Sequence, residues 1–380
     1  MPILSTAARP AAAASDPIRV MIVDDSTVIR SLVRNILADP EIEVVGTAAS
    51  GTMALQTMPR ARPDVIVLDI EMPGMDGISA LPRLLQIDPG VKIIIASTLS
   101  QRNADISMKA LTLGAADYVP KPTTAREIGA EGGFRVELLA KVRSLGARAK
   151  ARRPAQPAAG TPPVSRSMAP PSPKPAEPIS LRKPSLLRPR VLAIGSSTGG
   201  PQALMTLMRS LPSVIDVPIV ITQHMPPIFT ATLAQHLGRV ANLPAKEAAR
   251  GDILEPRKIY VAPGDYHLVL SPRGQQLEAQ LNQDPPENFC RPSVDPMLRS
   301  LAQALGNRVL TVILTGMGSD GLAGSTRVVQ AGGTVIAQDQ ATSVVWGMPG
   351  AVAAAGVCAA VLPLNDIAGW LSRAFAEGKP

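Results

Sequence analysis

Residues 191–200 decide the fold of the second half of the chain, with the sequence Val191-Leu192-Ala193-Ile194-Gly195-Ser196-Ser197-Thr198-Gly199-Gly200. The apolar run predicts a buried strand, the Gly/Ser-rich run predicts a tight turn, and Pro201–Arg209 predicts a helix with proline in its tolerated first turn. Gly321–Gln330 predicts a second helix. Apolar runs predict further strands at Val217–Thr222, Arg257–Val261, Leu268–Leu270, Arg308–Leu314 and Thr334–Ala337. We interpret Arg257–Val261 and Leu268–Leu270 as a hairpin pair in an α/β domain.

The front of the chain alternates between apolar runs and helical patterns in the same way. Thr27–Leu37 and Arg102–Leu113 have helical periodicity, and one more helix is predicted at Val136–Leu145. The predicted strands are Arg19–Val23, Ile42–Gly46, Val65–Leu68, Lys92–Ala96 and Asp117–Val119. Strands that alternate with helices indicate a doubly wound parallel sheet, so we expect two such α/β domains, at residues 18–135 and 190–375.

Between these domains the composition changes to Pro, Ala, Ser, Lys and Arg, from about Ala147 to Pro189. Such a segment buries too little apolar surface to offset its ordering entropy, so residues 136–189 should be a helix end followed by a disordered linker. The net charge of +8 is concentrated there. Because the flanking domains are nearly neutral, we expect no nucleic-acid partner, whereas an acidic partner for the linker remains open.

The compartment is indicated by cysteine content and hydropathy. Cys290 and Cys358 make no disulfide framework and suit a reducing cytoplasm. No apolar run approaches the roughly 18 residues of a membrane span, so no membrane insertion is expected. Residues 1–17 lack a basic region followed by an apolar one and predict a disordered tail.

Polar side chains end several strands of the first predicted sheet. Asp24 and Asp25 follow the first strand, and Asp69 follows the third. Carboxyl ends of parallel strands form the ligand-binding edge, and three carboxylates there require a hard cation such as Mg²⁺. Ser97 ends the fourth strand, and Lys121 follows the fifth as a positive charge. This set predicts a site at which one carboxylate is phosphorylated.

These residues resemble the response-regulator receiver family, over roughly residues 18–135. The matching motifs are Asp24-Asp25-Ser26, Asp69-Ile70-Glu71-Met72-Pro73-Gly74-Met75-Asp76-Gly77, Ser97 and Lys121. The resemblance implies a flavodoxin-like fold, Asp69 as phosphoacceptor, and Mg²⁺ held by Asp24, Asp25, Asp69 and the backbone carbonyl of Glu71. It also implies a histidine kinase as phosphodonor and Tyr118 as the switch aromatic. Taken alone, Asp24 or Asp25 could instead cap a helix.

A candidate hydrolytic site follows the linker. Ser197 lies at a strand-to-helix turn, where a helix N-terminus stabilises developing negative charge. A nucleophilic serine needs a base, and only three histidines are present. His224 follows a predicted strand end and is the best candidate. His236 on a helix and His267 at the start of a strand are expected to be structural.

The third element is Thr315-Gly316-Met317-Gly318-Ser319-Asp320-Gly321, which follows strand Arg308–Leu314. Asp320 could orient the imidazole, or it could cap the following helix. The backbone N–H groups of Gly316, Met317 and Gly318 are candidate oxyanion donors. The order serine, histidine, acid differs from that of α/β-hydrolases, in which the acid precedes the histidine.

This half also resembles the bacterial chemotaxis protein-glutamate methylesterase (CheB) family. The matching strings are Ile194–Gly200, Gln223-His224-Met225, Arg291-Pro292-Ser293-Val294-Asp295 and Thr315–Gly321. The resemblance implies Ser197 as nucleophile, His224 as base and Asp320 as acid, with Thr198 and Met317 in the cleft. That family usually has alanine at position 196, so Ser196 is a second candidate hydroxyl, although the motif register favours Ser197.

The resemblance further implies a substrate and a form of control. The substrate is the γ-methyl ester of glutamate on cytoplasmic helices of chemoreceptors, with deamidation of glutamines there. No cofactor is implied for hydrolysis, and phosphorylation of the receiver is expected to activate the enzyme. Two rival interpretations are a receiver-controlled DNA-binding regulator and a catalytically inactive scaffold. The near-neutral α/β pattern disfavours the first, and the presence of Ser197, His224 and Asp320 disfavours the second.

Overall fold

A computed structural model of the protein describes residues 16–98, 100–122, 133–150 and 179–377. The predicted tail and most of the predicted linker therefore lie outside the described residues. The chain divides into two compact units, Met1–Ile94 with Thr124–Arg152, and Ile95–Thr123 with Arg153–Pro380. No helix in the described ranges has the length and apolar character needed to cross a bilayer.

The first sheet has five strands in the order β2-β1-β3-β4-β5, and β1 pairs in parallel with both β2 and β3. Its strands are β1 (Ile18–Val23), β2 (Ile42–Ala48), β3 (Val65–Asp69), β4 (Lys92–Ser97) and β5 (Asp117–Pro120). The helices of this part are α1 (Thr27–Ile36), α2 (Gly51–Ala61), α3 (Gly77–Ile87), α4 (Gln101–Thr112) and α5 (Gly133–Lys150). The alternation confirms the predicted doubly wound fold.

The second sheet has seven strands in the order β14-β13-β12-β6-β7-β9-β8, and every neighbouring pair is parallel. Its strands are β6 (Val191–Ser196), β7 (Ile219–Gln223), β8 (Ala245–Glu247), β9 (Ile259–Val261), β12 (Val309–Ile313), β13 (Thr334–Gln338) and β14 (Ala360–Leu362). The helices are α6 (Gly200–Arg209), α7 (Phe229–Ala241), α8 (Val294–Leu305), α9 (Leu322–Gln330), α10 (Met348–Ala354) and α11 (Leu364–Glu377). The predicted parallel α/β domain is confirmed.

The predicted hairpin between Arg257–Val261 and Leu268–Leu270 is wrong. Strand β9 belongs to the parallel sheet, next to β7 and β8. The hairpin instead joins β10 (His267–Arg273) and β11 (Gln276–Asn282), which pair antiparallel. Gly274, at φ +61°, supplies the left-handed turn residue that so short a connection requires.

The structure also differs from the predicted linker at both of its ends. Helix α5 continues to Lys150, because apolar residues on one face remain buried at helical spacing: Leu138, Val142, Leu145 and Ala149. Residues 179–189 lie against the second sheet. The Arg182 N–H donates to the Cys358 carbonyl at 2.8 Å, and the Ser185 N–H donates to Thr334 Oγ1 at 2.8 Å. Backbone pairing of this kind leaves no trace in composition.

Candidate active site

The turn after β6 carries the two serines that the sequence left as candidates. Ser196 is fully buried, and its hydroxyl donates to Gln223 Oε1 at 2.7 Å. Ser197 is partly exposed, and its hydroxyl makes no hydrogen bond with any residue in the described part of the chain. Its backbone N–H donates to the Thr315 carbonyl at 3.1 Å, which fixes the turn against the end of β12. The geometry therefore favours Ser197 as the reactive hydroxyl.

His224 leaves the sheet beside Ser197, because β6 and β7 pair in parallel with Ser196 opposite Gln223. The Gln223 side-chain amide donates to the carbonyls of both Ser197 and His224, each at 3.0 Å. Since adjacent strands lie about 4.8 Å apart, the backbones of Ser197 and His224 are neighbours at the same edge of the sheet. No hydrogen bond joins them directly within the described residues; His224 Nδ1 instead faces the thiol of Cys290 at 3.3 Å.

Asp320 accepts a hydrogen bond from His224 Nε2, with 2.7 Å between Nε2 and Oδ2. Its side chain is 1% exposed. The remaining donors to this carboxylate are Asn288 Nδ2, Ser293 Oγ and the backbone N–H groups of Val294, Asp295 and Gly321. Because two of these amides begin α8, a helix N-terminus faces the carboxylate and stabilises its charge.

The alternative in which Asp320 caps the following helix is wrong. Helix α9 has Gly321 at its N-cap and receives no side-chain cap. The carboxylate is turned toward α8 and His224, which is the orientation expected of a group that positions an imidazole.

Burial and hydrogen bonding shift the pKa values of both His224 and Asp320. Burial disfavours the imidazolium, but the Asp320 carboxylate and Cys290 outweigh it and raise the pKa of His224 from 6.5 to about 10. Burial likewise disfavours the carboxylate, yet His224 and the amide of Val294 lower the pKa of Asp320 to about 2. The contact with Asp320 therefore stabilises the imidazolium, which is the charged form that His224 adopts when it accepts a proton.

The Gly-rich loop after β12 packs directly on the turn that carries Ser197. A Cβ atom at Gly316 would lie 2.9 Å from the Cβ of Ser197 and 2.4 Å from Sδ of Met348, so only glycine fits. The Gly316 N–H donates to the Val345 carbonyl at 3.2 Å. This amide is thus paired with a backbone carbonyl in the structure, and Gly316 lines the cleft beside Ser197.

The remaining predicted cleft residues lie on the same two loops. Met317 is partly exposed and Gly318 is exposed, so both border solvent. Thr198 is 2% exposed, and its hydroxyl has no hydrogen-bond partner among the described residues. A buried hydroxyl without a partner costs free energy, so Thr198 Oγ1 is an unsatisfied polar atom in the turn that carries Ser197.

The other two histidines make no hydrogen bond to His224 or Asp320 within the described residues, and His267 is linked to Asp320 only through Ser293. His267 is buried, accepts the Ser293 N–H at Nδ1 and pairs with the Pro285 carbonyl through Nε2, each at 3.2 Å. His236 lies on α7, and burial lowers its pKa.

Two residues of the cluster, Asn288 and Cys290, have no motif in the sequence that would point to them. They lie in a turn between β11 and α8, and Cys290 is separated from His224 by 66 residues. The neighbouring string Arg291–Asp295 is one of the family motifs. Its function here is to present the α8 amides to Asp320.

In the first unit, Asp24, Asp25 and Asp69 come together as predicted, with one oxygen from each within 4.8 Å of the others. Asp24 and Asp69 are buried and Asp25 is exposed. Ser26 caps α1 by accepting the Ile29 N–H, so neither aspartate serves as that cap. A cluster of carboxylate oxygens with one open side suits Mg²⁺, which retains water ligands. Glu71 is exposed beside it, and its N–H donates to Asp69 Oδ1 at 3.4 Å.

Three predicted switch residues belong to the second unit. The Lys121 N–H donates to the Ser97 carbonyl at 2.7 Å, and Ser97 Oγ lies 3.0 Å from Ser107 Oγ. Tyr118 is 2% exposed and stacks on Phe229 with ring centroids 4.6 Å apart. The aromatic residue predicted to change its packing is thus enclosed by an aromatic contact.

A partly exposed serine beside a buried carboxylate–imidazole pair, at the carboxyl ends of a parallel sheet, is the arrangement of a serine hydrolase. Two family models match the chain, the response regulator receiver domain over residues 20–131 and the CheB methylesterase over residues 192–371. The chain belongs to the CheB methylesterase family, with a receiver domain in front, which confirms both resemblances.

Similar proteins cover nearly the whole chain. A Paramagnetospirillum magneticum protein named protein-glutamate methylesterase/protein-glutamine glutaminase 1 is 53% identical, over 96% of this chain and 98% of its own length. An Azospirillum brasilense protein named protein-glutamate methylesterase/protein-glutamine glutaminase is 52% identical, over 96% of this chain and 94% of its own length. The crystal structure of the Thermotoga maritima CheB methylesterase catalytic domain matches 49% of this chain and 98% of its own, at 42% identity and a TM-score of 0.48.

Proposed function

We propose that this protein is a phosphorylation-activated serine esterase that hydrolyses glutamate γ-methyl esters on chemoreceptor helices and deamidates glutamines there. The observation that carries the proposal is the 2.7 Å contact between His224 and Asp320, beside a hydroxyl that has no other partner in the described structure. The names of the relatives and the spacing of the motifs support the substrate class.

The proposed chemistry uses three side chains. Ser197 Oγ attacks the ester carbonyl carbon while its proton passes to His224 Nδ1, because Nε2 is already paired with Asp320. The amides of Met317 and Gly318 hold the oxyanion. When the tetrahedral intermediate collapses, Nδ1 returns the proton to the leaving oxygen, and methanol departs, or ammonia for glutamine. Water then gives a proton to Nδ1 and attacks the acyl-serine carbonyl carbon. When this second tetrahedral intermediate collapses, Nδ1 returns the proton to Ser197 Oγ, the acyl–oxygen bond breaks, and the carboxylic acid leaves and ionises.

The receiver is proposed to control this activity. Asp69 would accept a phosphoryl group from a histidine kinase, with Ser97, Lys121 and Tyr118 responding to it. Mg²⁺, when bound, would neutralise charge on the transferring group, and its proposed ligands are Asp24, Asp25, Asp69 and the Glu71 carbonyl. We place the protein in the cytoplasm, with the receiver at residues 18–135, the catalytic domain at 190–375, and between them the segment 136–189, whose two ends are the end of α5 and the residues that pair with the second sheet.

Methanol release from methylated chemoreceptor membranes tests the proposal. The full chain should release methanol faster with acetyl phosphate and Mg²⁺ than without them, and Asp69→Asn should remove that difference. Ser197→Ala should reduce release by at least about 10⁴-fold, whereas Ser196→Ala should remain active. Full activity of Ser197→Ala would exclude the serine mechanism, and equal rates with and without phosphodonor would exclude the proposed control.

A further inference from the structure

Phe289 has an unusual environment for a phenylalanine of this chain. The protein has four phenylalanines, and Phe134, Phe229 and Phe375 are all buried. Phe289 is 102% exposed. Single exposed apolar side chains are ordinary on protein surfaces, so the exposure alone carries no meaning. The exposure of Phe289 becomes significant because of where the side chain lies.

Phe289 lies between two residues that touch the catalytic pair. Asn288 Nδ2 donates to Asp320 Oδ1 at 3.1 Å, and also to Asp295 Oδ2 at 3.0 Å. On the other side, Cys290 Sγ lies 3.3 Å from His224 Nδ1. The two neighbours point into the site while the phenyl ring between them projects into solvent. Phe289 is therefore at the rim of the active site.

The turn that presents the ring is held in place from several sides. Asn288 and Phe289 both have left-handed backbones, at φ +53° and +62°, which non-glycine residues adopt only when their surroundings fix them. Glu287 and Cys290 exchange two backbone hydrogen bonds, of 3.2 and 2.9 Å. The Glu287 carboxylate accepts two hydrogen bonds from Arg299 of α8, at 2.8 and 2.5 Å. The turn is therefore a fixed structure and not a loose surface loop. A fixed turn that holds a phenyl ring in solvent indicates that the ring has a binding function.

We infer that Phe289 is a substrate-contacting residue, which packs against an apolar side chain about one helical turn from the scissile ester on the receptor helix. The inference rests on the proposed function. On a helix, side chains three or four positions from the ester face the same side, so they meet the rim when the ester enters the cleft. Because the ring is outside the cleft, it selects the protein that carries the ester and leaves the ester group itself to Ser197 and Met317.

The test compares two substrates with the full-length, phosphodonor-treated protein. One substrate is methylated receptor membranes, and the other is a soluble N-acyl glutamate γ-methyl ester that is too small to reach the rim. Phe289→Ala should raise KM for the receptor about tenfold or more, since burial of a phenyl ring is a substantial apolar gain, and should change kcat less than about twofold. Kinetics on the small ester should be unchanged, and Phe289→Leu should recover part of the receptor KM.

Leu186→Ala is the matched control. Leu186 is 72% exposed and belongs to the same unit, but its neighbour Ser185 bonds Asn307 and Thr334, at the amino ends of β12 and β13. Leu186→Ala should leave the kinetics on both substrates unchanged. An unchanged receptor KM in Phe289→Ala, or an equal loss on the small ester, would overturn the inference while the esterase assignment stands. A wild-type protein that cleaves neither ester would overturn both.

Discussion

The Cys290 thiol lies 3.3 Å from His224 Nδ1, on the side of the imidazole opposite Asp320. Since Nε2 is committed to the carboxylate, Nδ1 is the nitrogen that must take the proton of Ser197. The thiol therefore lies next to the same nitrogen, Nδ1, that accepts the proton of Ser197 in the proposed mechanism. A change at this sulfur is transmitted directly to the base, even though Cys290 has no part in the proposed bond-making steps.

Alkylation of Cys290 with iodoacetamide should abolish methanol release, because the added group fills the space beside Nδ1. The second cysteine should not react, since Cys358 is fully buried and burial raises its pKa to about 12. Mass spectrometry of the labelled peptide and residual esterase rate are the two measurements.

The control for this prediction is Cys290→Ala, which removes the sulfur without blocking Nδ1. This variant should keep esterase activity and resist iodoacetamide. Loss of activity in Cys290→Ala at all pH values, in a folded protein, would instead assign the thiol an essential function.

The pH dependence of kcat/KM follows from the shifted pair. His224 accepts a proton only when neutral, and its pKa is raised to about 10, so activity should increase with pH through the alkaline range. Asp320→Asn removes the charge that favours the imidazolium, so the midpoint should move to lower pH while the maximal rate falls by about 10⁴-fold. Ser197→Ala measures the spontaneous hydrolysis to be subtracted. A midpoint that does not move in Asp320→Asn would contradict the coupling.

The same two residues should also stabilise the folded state, and their contributions to the free energy of unfolding are lost at opposite ends of the pH range. The folded pKa of His224 lies above its unfolded value of 6.5, so its contribution is complete below about 6.5 and is lost as pH rises through about 10. The lowered pKa of Asp320 gives a contribution that is lost as pH falls from about 3.8 through about 2. Urea unfolding of wild type and Asp320→Asn should therefore differ most between about pH 4 and pH 6.5, where both contributions are complete. Equal differences at pH 7 and pH 10.5 would contradict the linkage.

The site residues that directly follow a strand could be predicted from the sequence. Ser197, His224 and Asp320 each follow an apolar run, and parallel strands bring such positions to one edge. Asp24, Asp25 and Asp69 were placed together by the same rule.

What the sequence missed depends on loops packed from distant parts of the chain. Asn288 and Cys290 reach the pair only because the turn before α8 is braced by Arg299. The partner of β10 was assigned wrongly, because a strand pattern does not state which neighbour it pairs with. Pairing of Ser185 with Thr334 also lacks any local signal.

Gly316→Ala should impair catalysis without a change in any reactive group. Its Cβ would lie 2.9 Å from Ser197 Cβ, 3.0 Å from Ser197 N and 2.4 Å from Met348 Sδ, so the turn must move. Displacement of a nucleophile by about 1 Å costs on the order of 100-fold in rate. Gly369→Ala, where no atom lies within 4 Å of the new Cβ, is the matched control and should stabilise helix α11 slightly. Equal kcat in the two variants would contradict the close-packing argument.

Asp25→Asn should weaken the Mg²⁺ dependence of receiver phosphorylation while leaving the fold intact. Asp25 is the exposed member of the three-carboxylate cluster, whereas Asp24 and Asp69 are buried within it, so its loss removes a cation ligand with least disturbance of packing. Half-saturating Mg²⁺ for labelling by acetyl phosphate should rise about tenfold or more, as expected when one of few charged ligands is lost. Asp88→Asn, an exposed aspartate at the far end of α3, should behave as wild type. An unchanged Mg²⁺ requirement in Asp25→Asn would place the cation elsewhere, because no other carboxylate of the described residues joins this cluster.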